Sequence, residues 1–142
     1  MYDKDVIIHK KEGLFMKRDL DLIREILLGI ETHHTNKTTV AAEVGLNFKV
    51  EGHSKEAVAY HLKMLIDAGY VLGIETAFRD MQMVNGLTMK GHDYLDSIRD
   101  PDIWRKTKEG ANKAGGFTLE LLGEIAKGLI KTQIEKHTGV KL

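Results

Sequence analysis

The stretch SKEAVAYHLKMLIDAGYV, Ser54 to Val71, is followed sixteen residues later by LTMKGHDYLDSIRD, Leu87 to Asp100. In the first, Val58, Leu62, Leu65 and Ile66 share one helical face. Ser54 is placed to cap that helix, Glu56 suits the positive end of its dipole, and Gly69 suits the left-handed turn that ends it. YVLGIETAF then alternates, which puts Tyr70, Leu72, Ile74 and Phe78 on one side of a strand. Arg79-Asp80 turns the chain, and MQMV returns it with Met81 and Met83 facing together. Thr88 is placed to cap a second helix, in which Leu95 and Ile98 repeat at i, i+3 and Gly91 permits close approach by a neighbour. A helix, a hairpin and a helix in that order are how a winged helix-turn-helix domain presents its recognition helix and wing. The expected fold class is therefore mainly α with a small β wing: a winged helix-turn-helix-like domain over residues 16–100, followed by a C-terminal helical extension over 101–142.

Upstream, the pattern is mixed. Residues 1–15 read as an N-terminal arm or leader, with VIIH a short strand or part of a loose arm. A helix starts near Asp19, a good cap, and carries Leu20, Ile23, Leu27 and Ile30 on one stripe, broadened by Ile26 and Leu28. From Glu31 to His53 the periodicity fades. Val40 to Gly45 fits a helix or a strand equally well, and LNFKVEG alternates. A standard winged helix places a first small strand and the helix before recognition in this interval.

Downstream, Asp100-Pro101 breaks the helix. IWRKTKE reads as a short helix anchored by Trp104, the single tryptophan, and GANKAGG as a flexible connection. Thr118 to His137 forms a last amphipathic helix with Leu121, Leu122, Ile125, Ala126, Leu129 and Ile130 on a wide apolar face. Gly123 and Gly128 each weaken it by about 1 kcal/mol relative to alanine, so it depends on packing partners.

Length bounds the number of domains: 142 residues hold one domain with a real core and an appended helix. No run approaches the roughly 18 apolar residues of a membrane span, and the start lacks the apolar stretch of a secretory signal, so a cytoplasmic protein with no membrane partner is expected. The absence of cysteine excludes disulfides, thiolate zinc sites and a thiol nucleophile. Net charge is zero but unevenly spread. Met1–Lys37 holds 7 basic and 7 acidic side chains, Thr38–Asp100 holds 6 and 9, and Pro101–Leu142 holds 8 and 5. Gripping duplex DNA ordinarily needs a basic footprint, because displaced counterions supply most nonspecific affinity. Here the winged region is the acidic part.

Three blocks, MKRDLDLIREILLGIE, EAVAYHLKMLIDAGYV and LTMKGHDYLDSIRDPDIWRKTKE, together resemble the bacterial and prophage-associated family known as domain of unknown function 2513. The likeness runs from Met16 to about Glu109 and implies a winged-helix-like fold that begins at Met16. It implies no activity. More loosely, His61-Leu62, Leu65 and Ala68-Gly69 resemble the segment that precedes the wing in winged-helix regulators at large.

The candidate sites are few. With Leu62 inward, Ala57, Tyr60, Met64 and Ala68 fall on the outer side of the Ser54 helix, flanked by Glu56, Lys63 and Asp67. Base reading favours Arg, Lys, Asn and Gln, of which this face offers Lys63 alone. The nucleic-acid candidates are Lys55, Tyr60, Lys63 and Arg79. The protein-interface candidates are Tyr60, Met64, Leu122, Ile125 and Leu129. A buried scaffold helix accounts for the same stretch with neither partner. Arg105, Lys106, Lys108 and Lys113 are the densest basic segment, read as a solvated linker or a phosphate contact. His33-His34, His53, His61, His92 and His137 show no metal-ligand spacing, so no metal is expected; His61 and His92 flank apolar faces as packing residues with a polar tip. No nucleophile elbow, phosphate loop or dinucleotide fingerprint occurs, and Asp93 and Asp96 read as a solvated face, so neither catalysis nor a cofactor is expected. Two functions follow. One is a small phage-linked regulator that binds double-stranded DNA as a homodimer through two half-contacts. The other is a noncatalytic module that binds protein. Scaffold class favours DNA and charge favours protein; the expectation carried forward is DNA.

Overall fold

A computed structural model describes residues 17–33, 40–43, 48–75 and 81–142. The expected strand at VIIH and the turn at Arg79-Asp80 lie outside these residues. The chain divides into two compact units, Met1–Thr88 and Met89–Leu142. The second helix of the opening pattern therefore belongs with the C-terminal helices.

In the first unit, α1 spans Leu20–His33. Asp19 Oδ1 accepts the Leu22 amide at 3.1 Å, which caps the first turn as its carboxylate predicts. Ile23, Ile26, Leu27 and Ile30 are buried, and so is Leu22. The ambiguous Val40 segment is extended: β1 runs Val40–Glu43. Helix α2 spans Lys55–Asp67, with Ser54 Oγ accepting the Ala57 amide and Val58, His61, Leu62 and Leu65 buried. Gly69 has φ +84°, the turn that releases the chain into β2, Val71–Glu75. Strand β3 is Met81–Leu87 and lies at the centre of an antiparallel sheet of order β1-β3-β2.

The sheet departs from strict alternation. Leu72 pairs with Gly86 but Gly73 pairs with Val84, so Asn85 is an extra residue on β3. Gly86 adopts φ +123° there, and a Cβ on Gly73 would lie 2.6 Å from the Met83 carbonyl oxygen. This bulge rotates the side chains that flank it. Tyr70 and Val71 are both buried and Leu72 is 49% exposed, so Tyr70 and Leu72 do not share one side as expected. On β3 Gln82 and Val84 are buried and Met83 is half-buried, so the core takes the face opposite Met83. The side chains of Ile74 and Met81, and Phe78 altogether, lie outside the described residues. Thr88 ties back to the end of α2: its hydroxyl donates to the Gly69 carbonyl and its amide to the Tyr70 carbonyl.

The second unit is three helices, α3 Met89–Ile98, α4 Pro101–Ala114 and α5 Leu119–Thr138. Asp100 both ends α3 and starts α4, accepting the amides of Asp102 and Ile103 while Pro101 occupies the first turn. GANKAGG does not connect loosely as expected: α4 continues through Ala114. Ala111 is fully buried and Gly110 faces Ile125, where an added Cβ would meet a methyl group at 3.9 Å. These small residues let α4 and α5 approach, and that packing outweighs the low helix propensity of Gly110. Trp104 and Ile103 are buried, as are Leu95 and Ile98. Gly123 lies against the Tyr94 ring, at 3.6 Å from where a Cβ would stand. His92, expected to pack, is exposed.

Replacing the buried Trp104 with alanine is expected to lower stability by about 3 kcal/mol, measured by urea unfolding followed by circular dichroism; native tryptophan fluorescence at the wavelength of free indole would contradict its burial. Gln82 is a second test. Its Oε1 is buried without a hydrogen-bond partner. Gln82→Met should therefore raise stability, by about 1 kcal/mol, and a loss of stability would show that the amide is satisfied in solution.

Candidate interaction face on the second helix

Helix α2 is held from within by a histidine. His61 is 2% exposed. Its Nε2 accepts the Asp19 backbone N–H at 2.8 Å, and its Nδ1 donates to the Ala57 carbonyl at 2.7 Å. An amide N–H only donates and a carbonyl only accepts, so the ring carries its proton on Nδ1. Asp19 thus serves three partners: its amide meets His61, one carboxylate oxygen caps α1, and the other lies 3.9 Å from His53 Nδ1, just before the α2 cap. The start of α1 and the first half of α2 are joined at this point.

On the outer side, Glu56, Tyr60, Lys63 and Asp67 are exposed, and Ala57 and Met64 are half-buried. Tyr60, 38% exposed, stands edge-on to the clamped His61 ring with centroids 5.6 Å apart. Its position is thereby buttressed from below. Lys63 Nζ donates to Asp67 Oδ2 at 2.7 Å, one turn on. The cation nearest the middle of the face is compensated within its own helix. Lys55 is exposed at the helix start, and Arg79 lies outside the described residues. The structure therefore gathers Tyr60, Lys63 and Met64 onto one surface, with a border of Glu56, Lys63 and Asp67 that nets to −1.

The remaining candidates lie in the second unit. Leu122 is fully buried there and is a core residue, which removes it from any surface. Ile125 and Leu129 are half-buried. Among the basic residues, Arg105 donates to Asp102 at 2.6 Å and to Glu109 at 3.0 Å, and Lys106 pairs with Asp102 at 3.1 Å. The Arg105 hydrogen bond, then that of Lys106, holds the Asp102 carboxyl below the usual carboxylate range, and the two acids raise Arg105 in turn. Lys108 sits 5.4 Å from the centre of the Trp104 ring. Arg105, Lys106 and Lys108 of the expected linker patch lie on a helix face where their charges are used locally. Unpaired cations occur elsewhere: among the described residues Lys131 and Lys136, on the far half of α5, make no ion pair. The i, i+3 and i, i+4 spacing of acids and bases along α4 carried that signal in the sequence.

Among the described residues, no group of three or more His, Asp or Glu side chains converges as a metal site, and no helix is long and apolar enough to cross a membrane.

The His61 assignment is directly testable. Nitrogen-15 shifts of the labelled ring should show a protonated Nδ1 and a bare Nε2, and His61→Ala should cost about 2 kcal/mol by stranding the Asp19 amide. A ring protonated on Nε2 alone would contradict the clamp.

Residues 17–117 match the family described as Hypothetical protein (DUF2513). An uncharacterized protein of Haemophilus influenzae is 30% identical over 122 residues, which cover 84% of this chain and 99% of the relative. No solved structure matches the chain.

Proposed function

The chain belongs to the DUF2513 family, and from that premise we propose that its first unit is a winged-helix-like, noncatalytic interaction module whose α2 face binds another protein. The observation that carries this is the composition of the face: Tyr60 and Met64 at its centre, with Glu56 and Asp67 on the border and Lys63 spent on Asp67. An exposed aromatic and a methionine beside small residues suit an apolar partner, since such side chains dominate protein contacts. An acidic border suits a partner that carries lysine or arginine. A basic amphipathic helix meets both requirements.

The winged-helix reading is supported by the element order α1-β1-α2-β2-β3 and by a sheet in which β1 joins the distal strand β3. The helix that ordinarily precedes recognition has no counterpart among residues 48–53, which form a bridge residue and a turn. Among the described residues, the usual support for a helix seated in the major groove is thus absent between Phe48 and the α2 cap. Strand order favours duplex DNA as a second reading, in which Lys55, Lys63 and Arg79 contact phosphate. The unit works against it electrostatically: Met1–Thr88 carries 11 basic and 13 acidic side chains.

The two readings separate in one pair of experiments. A photo-crosslinking amino acid at Tyr60 should capture protein, and random duplex at physiological salt should bind more weakly than about 10⁻⁴ M. Micromolar duplex affinity whose salt slope falls by about 3 when Lys55, Lys63 and Arg79 become alanine would establish the DNA reading instead.

A further inference from the structure

The core-facing stripe of α5 outlasts its core. Leu119, Leu122 and Ala126 are buried, yet none of residues 127–138 is. The same stripe continues through half-buried Leu129 and Ile130 to Ile134, which is 42% exposed. At 100° per residue, Lys127 and Lys131 flank it on one side and Lys136 on the other. The one acid of this stretch, Glu135, points away and accepts the Leu142 amide at 2.9 Å. The far half of α5 is thus a basic amphipathic helix with no fully buried side chain among the described residues.

We infer that this half of α5 docks on the α2 face of a second copy of the chain. The inference rests on the protein-binding reading of that face and names its partner. Charge complementarity carries it. The Lys127–Lys131 flank, which nets to +1 because Lys127 pairs with Glu124 at 3.4 Å, lies against a border of Glu56, Lys63 and Asp67 that nets to −1. At whole-unit level Met89–Leu142 carries 10 basic and 8 acidic side chains against 11 and 13 in Met1–Thr88. Shape agrees. Residues 127–138 extend about 18 Å and α2 about 20 Å, so the helices match in length. Ile130 and Ile134 meet Tyr60 and Met64 between them. One such contact is small beside the roughly 1,200 Å² that a stable interface buries. A pair in which each copy both gives and receives a helix makes two such contacts.

Sedimentation of the full chain tests this. Wild type should be a dimer at micromolar concentration. Lys127→Glu/Lys131→Glu should weaken it by roughly tenfold or more, as should Glu56→Lys/Asp67→Lys, and the four changes together should restore it. All four positions are exposed, and circular dichroism establishes that each variant is folded. Ile134→Asp gives a charge-independent arm and should also yield monomer. A monomeric wild type, a dimer indifferent to both reversals, or a fourfold variant that stays monomeric would overturn the inference. Failure of the parent reading looks different: a crosslinker at Tyr60 that captures nucleic acid and no protein overturns both. Capture of a foreign protein by a monomeric wild type overturns self-docking alone.

Discussion

The hydrogen bond between the Asp19 amide and the His61 imidazole is the contact on which the first unit turns. It lies between the first turn of one helix and the middle of another, 42 residues apart in sequence. An amide at a helix start has no partner in its own helix, so something outside must accept it or water must. A buried imidazole meets that need and in return receives a fixed orientation. Tyr60, packed edge-on against the same ring, inherits that orientation. The outer face of α2 therefore owes part of its shape to a bond made on the inner one. Loss of the histidine would disturb the surface as well as the core.

Legibility followed the range of the interactions. Asp19, Ser54 and Gly69 were readable because a cap or a left-handed turn is decided by one residue and its next three neighbours. The phase of β2 and β3 was not. A bulge depends on two strands at once, and nothing in VLGIE alone says that Asn85 will be skipped on the facing strand. Once it is skipped, the parity of β3 shifts past that point, while on β2 Val71 is buried and Leu72 exposed according to which face of the finished sheet meets the core. The extension of α4 through GANKA was hidden for a similar reason. Glycine and alanine read as linker until the face of α5 that they receive is known.

Electrostatics show the same distinction. Counting cations along the chain points to Arg105, Lys106 and Lys108, but α4 brings Asp102 and Glu109 within one turn of them and Trp104 beneath Lys108. Such exposed pairs add little stability, because solvent screens them and holding two long side chains costs entropy. Their larger effect is on recognition. A cation already held by a carboxylate must exchange partners before it meets a phosphate, so it attracts a polyanion less than its formal charge suggests. Lys63 and Asp67 on α2 are in the same position.

The two glycines of α5 are unlike each other, and the difference marks where the helix changes role. Gly123 is buried beside Tyr94, and a Cβ there would lie in ordinary contact with the ring at 3.6 Å. Its cost in helix propensity is offset by closer packing. Gly128 has open space around it, so no contact within the chain repays its cost. Apolar side chains at Leu129, Ile130 and Ile134 continue past it on the stripe that Leu122 and Ala126 bury. Three such residues, none of them fully buried, leave apolar area in water, at roughly 25 cal/mol for each Å². A second surface that takes up this stripe would remove that area from water. The acidic border around Tyr60 and Met64 is the described surface whose chemistry complements it.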